Sequence, residues 1–322
     1  MTFAGSPDRV EARLVPEAGY ELDTFEISGF PRRPSVALLR SLIRAGRAPR
    51  ACAAILKKRR PDVVLGGGGY VAGPMVYAAW RRKVPAALTE ADAHLGLANR
   101  LAAPLARRVF LAYEIPGRDG AKYRVTGRPV PAEHRGVSQD EGRRRFGLPE
   151  PGPILAFFGA LAGARSLNDF AVETFGESGP AVLHVSGERD YERLRAQVHR
   201  DDYVLVPSTN EFGAALAAPD LAISRAGGTV WELAAAGTPS VLVPYPHATS
   251  DHQTLNALHF ERGGGAIVLP ESELERLPGV VAELLNDPSR LASMREAMLS
   301  MARPDAGDEI AEELIALASA RR

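Results

Sequence analysis

The residues best suited to chemistry lie in one short segment, which follows the apolar run 221–224. Residues 227–229 (Gly-Gly-Thr) begin a predicted helix there, and Glu232 comes one helical turn beyond Gly228. Backbone N–H groups at the start of a helix bind phosphate, and the helix dipole favours the negative charge. A carboxylate on the opening turn can accept hydrogen bonds from two ribose hydroxyls. The spacing therefore predicts a site for the diphosphate and ribose of a nucleotide.

A second polar group follows the next apolar run, within residues 244–257. Its polar side chains are those of Asp251, His252, Gln253 and Asn256. In an open parallel sheet, ligands bind beyond the carboxyl ends of neighbouring strands, so this group and the glycine turn are expected to share one site. Phosphate, ribose and sugar groups in consecutive loops are typical of a nucleotide-sugar site.

Two further glycine-rich turns could approach a ligand closely. One contains Gly163 and Ala164, where the chain could hold a phosphate or could form a plain strand-to-helix turn. The other covers residues 66–74 and matches a dinucleotide-binding glycine pattern, with Glu90 about twenty residues on. Because the strand before it is not the first of its domain, we expect a tight turn near a substrate rather than a dinucleotide site.

A polar loop over residues 89–100 follows another apolar run and contains Glu90, Asp92 and Asn99. A carboxylate at a strand end could hydrogen-bond a sugar hydroxyl or act as a general base. Asp92 could instead cap the helix that follows. The residue types alone leave both interpretations open.

These segments need a scaffold that brings strand ends together, and the chain alternates between short apolar runs and helical stretches. The apolar runs cover residues 62–65, 84–88, 109–112, 154–158, 181–185, 203–206, 221–224, 240–244 and 266–269. Alternation of this kind predicts parallel sheets with helices on both faces. The expected fold class is therefore α/β, with doubly wound, Rossmann-like domains.

The alternating pattern breaks around residues 125–139, where glycines and prolines interrupt it. A new unit then starts with the predicted strand 154–158 and a glycine-containing turn. We therefore predict two domains, residues 1–130 and 131–300. Residues 301–322 form a C-terminal helix that is expected to pack back toward the first domain.

The composition fits a globular protein and excludes several classes. The chain has 322 residues, of which 45% are apolar and 24% are charged, so it can bury a sizeable core. Its only cysteine, Cys52, excludes a disulfide framework and a cysteine-ligated zinc site. Basic and acidic residues both number 39, whereas a protein that coats nucleic acid is usually strongly basic. Four further histidines lack metal-ligand spacing and are expected to be surface or packing residues: His134, His184, His199 and His259.

A basic stretch covers residues 31–60, which contain ten lysines and arginines and no acidic residue. Apolar residues such as Ile43 and Ile55 are interleaved with them, partly at helical spacing. One interpretation is a patch that rests on anionic lipid, where each basic residue near the surface contributes about 1 kcal/mol. Another is a solvated helix face whose apolar side packs on a sheet. Nucleic acid is a third and weaker interpretation, because no aromatic residues are interleaved.

Specific motifs extend over nearly the whole chain. They are 68–74 (Gly-Gly-Tyr-Val-Ala-Gly-Pro), 96–100 (Gly-Leu-Ala-Asn-Arg), 125–130 (Val-Thr-Gly-Arg-Pro-Val), 163–168 (Gly-Ala-Arg-Ser-Leu-Asn), 225–237 and 251–257 (Asp-His-Gln-Thr-Leu-Asn-Ala). Together they resemble the MurG-type glycosyltransferases of family 28. These enzymes move N-acetylglucosamine from UDP-N-acetylglucosamine onto undecaprenyl-diphospho-muramoyl-pentapeptide. The resemblance implies a GT-B fold, in which two Rossmann-like domains face each other across a cleft, and a role in peptidoglycan synthesis, cell shape and cell division.

The resemblance also implies roles for individual residues on the donor side. Glu232 would bind the ribose hydroxyls, and the backbone at Thr209 would read uracil. Gln253 and Asn256 would hold the N-acetylglucosamine. The donor-binding residues that the resemblance implies are Gly163, Ala164, Thr209, Arg225, Gly227, Gly228, Thr229, Glu232, Asp251, His252, Gln253 and Asn256.

On the acceptor side, the resemblance implies a single inverting displacement in which Glu90 or Asp92 is the catalytic base. The expected acceptor-side residues are Gly69, Tyr70, Asn99 and Arg128. Neither a cofactor nor a metal is expected, because the helix N-termini would stabilise the leaving diphosphate. The expected partners are the UDP-sugar, the undecaprenyl-linked acceptor and an anionic membrane surface that residues 31–60 contact on its cytoplasmic face, without nucleic acid.

The chain departs from the family pattern in four places, one of which is the family's phosphate-loop serine, replaced near Leu161. The family opens with a strand and a Gly-Gly-Thr-Gly-Gly-His loop, whereas residues 2–5 resemble its second strand, so the first βα unit is expected to be missing. The family's His-Glu-Gln-Asn motif reads Thr-Glu-Ala-Asp over residues 89–92. Pro131 stands where the family has a phosphate-contacting arginine, which is lost or supplied by Arg128. A GT-B transferase with another lipid or natural-product acceptor, and a non-catalytic remnant, therefore stay as alternatives.

Overall fold

The structure is a computed structural model that describes residues 1–28, 36–159 and 164–320, with the backbone alone for residues 36–40 and 42. The chain divides into two compact units. Unit 1 consists of Met1–Thr126 and Asp308–Arg322, and unit 2 consists of Gly127–Gly307. The chain therefore passes between the units twice, at residues 126–127 and 307–308.

The described strands of unit 1 are all paired in parallel, and they form two separate sheets. The smaller sheet consists of β1 (Phe3–Gly5) and β2 (Leu22–Thr24). The larger sheet contains four strands in chain order, β3 (Val64–Gly66), β4 (Ala86–Glu90), β5 (Arg108–Leu111) and β6 (Tyr123–Val125). No strand in the described ranges joins the two sheets, and Leu65 on the edge strand β3 is 42% exposed.

Four helices connect these strands. They are α1 (Glu11–Glu17), α2 (Val36–Arg59), α3 (Gly69–Arg81) and α4 (Leu97–Ala102). Ala48, Cys52 and Leu56 recur every four residues on α2, which places them on one face of the helix. All three are buried in the core of unit 1 together with residues of α3. The apolar face of the basic stretch therefore packs inside the protein.

Unit 2 is built on one six-stranded parallel sheet with the order β12-β11-β10-β7-β8-β9. Its strands are β7 (Ile154–Phe158), β8 (Ala181–Val185), β9 (Tyr203–Val206), β10 (Leu221–Ser224), β11 (Ser240–Leu242) and β12 (Ala266–Val268). The central strands are buried on both faces, which explains their nearly continuous apolar sequence. The chain order reverses between β7 and β10, where Phe158 is in register with Ser224. Ligands bind beyond such a switch point.

Eight α-helices and three 3-10 turns, Ala132–His134, Thr249–Asp251 and Glu271–Arg276, complete the described part of unit 2. The helices are α5 (Gln139–Arg145), α6 (Arg165–Phe175), α7 (Glu188–Arg195), α8 (Phe212–Ala217), α9 (Thr229–Ala236), α10 (His252–Arg262), α11 (Leu277–Leu285) and α12 (Pro288–Met301). Residues of α6, α11 and α12 pack with the central strands in one apolar core.

The last helix, α13 (Ala306–Ser319), belongs mainly to unit 1. Ile310 packs against Ala87 on β4 and Phe110 on β5. Glu313 accepts a hydrogen bond from Nε of Arg108 at 3.0 Å, so a partly buried ion pair adds to the apolar contact.

The prediction of two α/β units with parallel sheets is confirmed. The structure divides the chain after Thr126, while the sequence pattern placed the boundary at residue 130. Residues 127 and 128 belong to unit 2 because Gly127 packs against Arg303 and Trp231.

Candidate functional site

The turn between β10 and α9 is the centre of the candidate site. Ser224 ends β10, Gly228 precedes the helix and Thr229 begins it. A Cβ atom placed on Gly227 would have no heavy atom within 4 Å, so the turn is open on that side. Because the first N–H groups of a helix lack partners within the helix, an anion can approach them there.

The guanidinium of Arg128 lies against this turn. A Cβ atom on Gly228 would come within 2.4 Å of the Arg128 Cζ atom, so the guanidinium depends on a glycine for its position. Within the described residues, the Arg128 side chain has neither an ion pair nor a hydrogen-bond partner. A cation beside the positive end of a helix is unfavourable alone, and an anion between them removes the repulsion. Arg128 thus lies in unit 2 with the donor-side residues, apart from Gly69, Tyr70 and Asn99.

Glu232 lies on the first turn of α9, beyond the glycines. Its Oε1 is 2.9 Å from Nδ1 of His134, on the 3-10 turn, and the two side chains are 19% and 17% exposed. A carboxylate can only accept a hydrogen bond, so His134 donates through a protonated Nδ1. Sequence analysis expected His134 to be a surface or packing residue and did not predict this hydrogen bond.

Arg225 is buried, and its guanidinium connects several strand ends. Nη1 donates to the carbonyl oxygens of Val243 at 3.1 Å and Pro244 at 3.2 Å, just beyond β11. Nη2 donates to Oγ of Ser166, on the first turn of α6, at 2.9 Å and forms an ion pair with Glu271. These contacts engage the guanidinium within the protein, so they position the loops around the site.

Two residues of α10 attach that helix to the same strand ends. Asn256 is fully buried, and its Nδ2 donates to the carbonyl oxygen of Ala226 at 3.1 Å. Gln253 accepts a hydrogen bond from the backbone N–H of Tyr245 at 2.9 Å. The structure therefore connects Asn256 to the glycine turn after β10 and Gln253 to the segment after β11.

Asp251 and His252 make contacts within their own helix start. Oδ1 of Asp251 accepts from Oγ1 of Thr254 at 2.7 Å, and Nδ1 of His252 is 2.8 Å from the carbonyl oxygen of Thr249. Asp251 and Ser250 both adopt positive φ angles, 52° and 55°, which form the tight turn before α10. These two predicted donor residues thus shape the approach to Gln253.

The other predicted donor residues lie at the ends of β7 and β9. Ala164 is buried directly before α6, and Gly163 lies outside the described residues. Thr209 follows β9, where its Oγ1 accepts from the backbone N–H of Glu211 at 3.0 Å. Phe212 then begins α8 and contacts the rings of Phe158 and His134, with centroid distances of 5.7 and 5.5 Å. The segment after β9 therefore leads back to the candidate site.

A buried polar network behind α6 was not anticipated from the sequence. Nδ2 of Asn168 donates to the carbonyl oxygen of Ser186 at 2.8 Å and to Asp190 at 3.3 Å. Its Oδ1 is 3.0 Å from Nε2 of His184, whose Nδ1 is 2.9 Å from the hydroxyl of Tyr203. Burial lowers the pKa of His184 from 6.5 to about 3, so the imidazole is neutral in the folded protein.

Asp190 joins this network to three arginines. Its side chain is fully buried and pairs with Arg165, Arg189 and Arg193 at 3.3 to 3.5 Å. Burial opposes ionisation, but the hydrogen bonds from Arg193 and Arg165 prevail and lower the pKa of Asp190. The ionised carboxylate thereby fixes the start of α6 against α7.

In unit 1, Glu90 organises the polar loop after β4. Oε1 accepts from the backbone N–H groups of Ala91 and Asp92 at 3.1 and 3.4 Å. Oε2 accepts from Gly96 N and from Nδ2 of Asn99, both at 2.9 Å. Both carboxylate oxygens are therefore engaged in holding the loop, and Glu90 is only 9% exposed.

The other acceptor-side candidates surround this loop. Gly69 begins α3 with a φ of +63°, and Gly68 before it has a φ of +89°, conformations that favour glycine. A Cβ atom on Gly68 would lie 3.6 Å from Nδ2 of Asn99, so the turn adjoins the Glu90 loop. The ring of Tyr70 is 6.0 Å from the Arg9 guanidinium. Asp92 lies two residues beyond β4 and is partly exposed.

Part of the basic stretch is paired within unit 1. Arg59 and Lys58 both contact Asp23 on β2, and Arg44 lies 3.4 Å from Glu26. Residues 31–35, and the side chains of 36–40 and 42, lie outside the description. No helix in the described ranges is long and apolar enough to cross a membrane. The same ranges contain no group of three or more potential metal ligands.

Comparisons with known proteins identify the family of the chain. Residues 2–111 match the glycosyltransferase family 28 N-terminal domain, and residues 154–310 match the family 28 C-terminal domain. The UDP-N-acetylglucosamine--N-acetylmuramyl-(pentapeptide) pyrophosphoryl-undecaprenol N-acetylglucosamine transferase of Halorhodospira halophila is 39% identical, covering 97% of this chain and 88% of its own length. The protein of the same name from Halothermothrix orenii is 35% identical, covering 94% and 87%.

A solved structure of a related protein has a similar fold. The crystal structure of Acinetobacter baumannii MurG superposes with a TM-score of 0.76 at 25% identity and covers 97% of this chain and 90% of its own. The two family domains together span most of the sequence, and the relatives align over nearly its full length. The chain therefore belongs to glycosyltransferase family 28 and has its two-domain GT-B fold.

Proposed function

We propose that this chain transfers N-acetylglucosamine from UDP-N-acetylglucosamine to N-acetylmuramyl-(pentapeptide) pyrophosphoryl-undecaprenol, the lipid I to lipid II step of peptidoglycan synthesis. Relatives at 35–39% identity carry this activity in their names. The observation that carries the proposal is the arrangement at the start of α9. There the Arg128 guanidinium, which has no ion-pair partner among the described residues, lies against an open glycine turn, and the Glu232 carboxylate follows on the first turn of the helix.

On the donor side, the diphosphate lies between Arg128 and the first N–H groups of α9. Glu232 accepts hydrogen bonds from the ribose hydroxyls, and the Thr209 backbone contacts uracil. Gln253 contacts the N-acetylglucosamine at the end of β11, and the buried Asn256 supports the sugar site by fixing α10 to the turn after β10. The positive groups that stabilise the leaving UDP are thus protein groups, so the proposed reaction requires no metal.

In the proposed mechanism, an acceptor hydroxyl attacks the anomeric carbon in one inverting displacement while UDP leaves. Of the two candidate bases, Asp92 is the better one. Glu90 already accepts four N–H hydrogen bonds, so protonating it would break contacts that hold its own loop. Asp92 lies in the same loop and is partly exposed.

Calorimetry with UDP tests the donor site. We expect Glu232→Ala to weaken UDP binding about tenfold to a hundredfold, because hydrogen bonds to a charged group are lost. Arg128→Ala is expected to weaken the binding of UDP more than the binding of uridine, because uridine lacks the diphosphate. Glu192→Ala is the matched control, because Glu192 is an exposed glutamate of α7 in the same unit. Unchanged UDP binding in Glu232→Ala would remove the ribose assignment.

A transfer assay with a lipid-linked muramoyl-pentapeptide tests the reaction and the base. The expected product is the β-linked disaccharide, formed equally in the presence of EDTA. Asp92→Asn should lower kcat about 10²- to 10⁴-fold and leave UDP affinity unchanged. If the chain binds the donor but transfers the sugar to another lipid and not to this acceptor, the acceptor in the proposal is wrong. Binding without any turnover would favour the non-catalytic alternative.

We also propose that unit 1 rests on an anionic membrane at its cytoplasmic face, where the lipid acceptor is reached. On α2, Ile43, Arg47 and Arg50 are exposed and recur at the spacing of one helix face. On the adjacent α3, Tyr77 and Trp80 are 41% and 48% exposed, with ring centroids 6.0 Å apart. Exposed aromatic and apolar residues beside basic ones are typical of membrane-surface contacts.

Sedimentation with vesicles of phosphatidylglycerol and phosphatidylcholine tests this contact. Arg47→Glu/Arg50→Glu should reduce binding to anionic vesicles by tenfold or more, because each basic residue near such a surface contributes about 1 kcal/mol. The control Arg195→Glu/Arg262→Glu makes the same charge change on exposed arginines of unit 2. Equal loss in both variants would indicate an effect of net charge alone and would contradict a specific surface on α2.

A further inference from the structure

The contact between His134 and Glu232 gives the donor site a residue that neither the motifs nor the family match assigns. Nδ1 of His134 donates to Oε1 of Glu232 at 2.9 Å. The Glu232 side chain is 19% exposed, and it lies on the first turn of α9, directly after the glycine turn. Each carboxylate oxygen can accept more than one hydrogen bond. A donor fixed on Oε1 therefore sets the plane of the carboxylate and leaves acceptor capacity on both oxygens.

His134 is itself held firmly from two sides. A Cβ atom on Gly213 would lie 2.6 Å from the carbonyl oxygen of Glu133 and 2.7 Å from Cα of His134, so the 3-10 turn approaches α8 only because residue 213 is glycine. The imidazole also packs edge-on against the ring of Phe212, at 5.5 Å between centroids. The backbone and ring contacts together fix where Nδ1 points.

We propose that His134 is a positioning residue for nucleotide recognition, which orients Glu232 so that its carboxylate accepts both hydroxyls of a ribose. The inference rests on the proposed function, because it requires Glu232 to contact the ribose. A vicinal diol demands a defined carboxylate plane, whereas a single hydroxyl tolerates many orientations. His134 should therefore affect selectivity for ribose over 2′-deoxyribose more than it affects the affinity for the diphosphate.

The test compares the affinities for UDP and 2′-deoxy-UDP by calorimetry. His134→Phe keeps an aromatic ring against Phe212 but removes the N–H group that donates to Glu232. It should reduce the preference for UDP over 2′-deoxy-UDP about fivefold to tenfold. His134→Asn places an amide N–H near the position of Nδ1 and should restore most of the preference. Gly213→Ala leaves both polar side chains intact but displaces the 3-10 turn, and it should reproduce part of the loss. His199→Asn is the control, since His199 is an exposed histidine of unit 2.

Glu232→Ala distinguishes the ribose contact of Glu232 from the positioning role of His134. If it abolishes the preference for UDP while His134→Phe leaves the preference unchanged, the ribose contact stands and the role of His134 is wrong. If Glu232→Ala itself leaves the preference unchanged, the ribose assignment of the proposed function fails, and the inference about His134 fails with it. If His134→Phe weakens the binding of UDP and 2′-deoxy-UDP equally and His134→Asn does not restore it, the role of His134 is merely structural. That result would also overturn the inference.

Discussion

Nδ2 of Asn99 donates a hydrogen bond to Oε2 of Glu90 at 2.9 Å, and both side chains are nearly inaccessible to solvent. Hydrogen bonds to a buried charge contribute about 1.5–3 kcal/mol. We therefore expect Glu90→Gln and Asn99→Ala to be coupled by about 1.5 kcal/mol in a double-mutant cycle of urea unfolding. The same cycle with Glu114→Gln, an exposed glutamate of unit 1, should show no coupling. Additive effects of Glu90→Gln and Asn99→Ala would contradict the proposed loop-holding role of Glu90.

Arg225 should be important for the stability of unit 2. Lysine cannot reproduce the fork with which Arg225 contacts Val243, Pro244 and Ser166. Arg225→Lys is therefore expected to lower the free energy of unfolding by about 2 kcal/mol. Emission of the buried Trp231 can follow the transition.

The control for Arg225 is Arg189→Lys, because the Arg189 side chain is 59% exposed. Its effect should stay within about 0.5 kcal/mol, as for most surface substitutions. If the two variants were equally stable, Arg225 would instead be a ligand-binding residue with little structural role, as the family resemblance implied.

The stability of unit 2 should fall as the pH decreases below about 6.5. His184 has a pKa of about 3 in the folded protein and 6.5 in the unfolded chain, so only the unfolded chain takes up the proton in that interval. The free energy of unfolding should decrease by about 1.4 kcal/mol per pH unit below 6.5. Urea unfolding between about pH 7.5 and 5 measures this slope before most carboxylates titrate.

Two variants identify the histidine responsible. His184→Gln should be less stable at neutral pH but should lack most of the slope, because glutamine does not titrate. His199→Gln should keep the slope of the unsubstituted protein, since His199 is exposed. A slope that persists in His184→Gln would assign the pH dependence to another group.

The thiol of Cys52 should be unreactive in the folded protein. It is fully buried on α2, and burial raises its pKa to about 12, so the nucleophilic thiolate is scarce. We expect no reaction with a disulfide reagent in buffer and one equivalent after unfolding in urea. Ser300→Cys, at an exposed position on α12, should react at once in buffer. Rapid labelling of Cys52 in buffer would show that the core of unit 1 opens readily.

The strand-to-helix turns could be predicted because their signals are local. An apolar run followed by glycines specifies a buried strand and a turn, so the Gly227 and Gly228 turn was placed correctly at the end of β10. The separation of unit 1 into two sheets could not be predicted from the same runs. Pairing of β1 with β2, and of β3 with β4, depends on which strands meet in space, and periodicity does not encode that.

The site residues that sequence analysis missed depend on distant partners. His134 meets a carboxylate 98 residues further along the chain, and nothing in its local spacing reveals the contact. Arg128 was expected on the acceptor side from the family resemblance, and its contact with Gly228, a hundred residues further along the chain, is not evident from its motif. Asn168 and Asp190 belong to different helices, and only folding brings them together.

The two passages of the chain between the units have a consequence for the order of synthesis. Unit 2 is continuous in sequence, whereas α13 covers Ala87 and Phe110 of unit 1 and is encoded after all of unit 2. On the ribosome, that part of the unit 1 sheet therefore remains uncovered until unit 2 has been made. Unit 1 begins first and is completed last, so a nascent chain must keep an apolar surface from aggregating while its second half is translated.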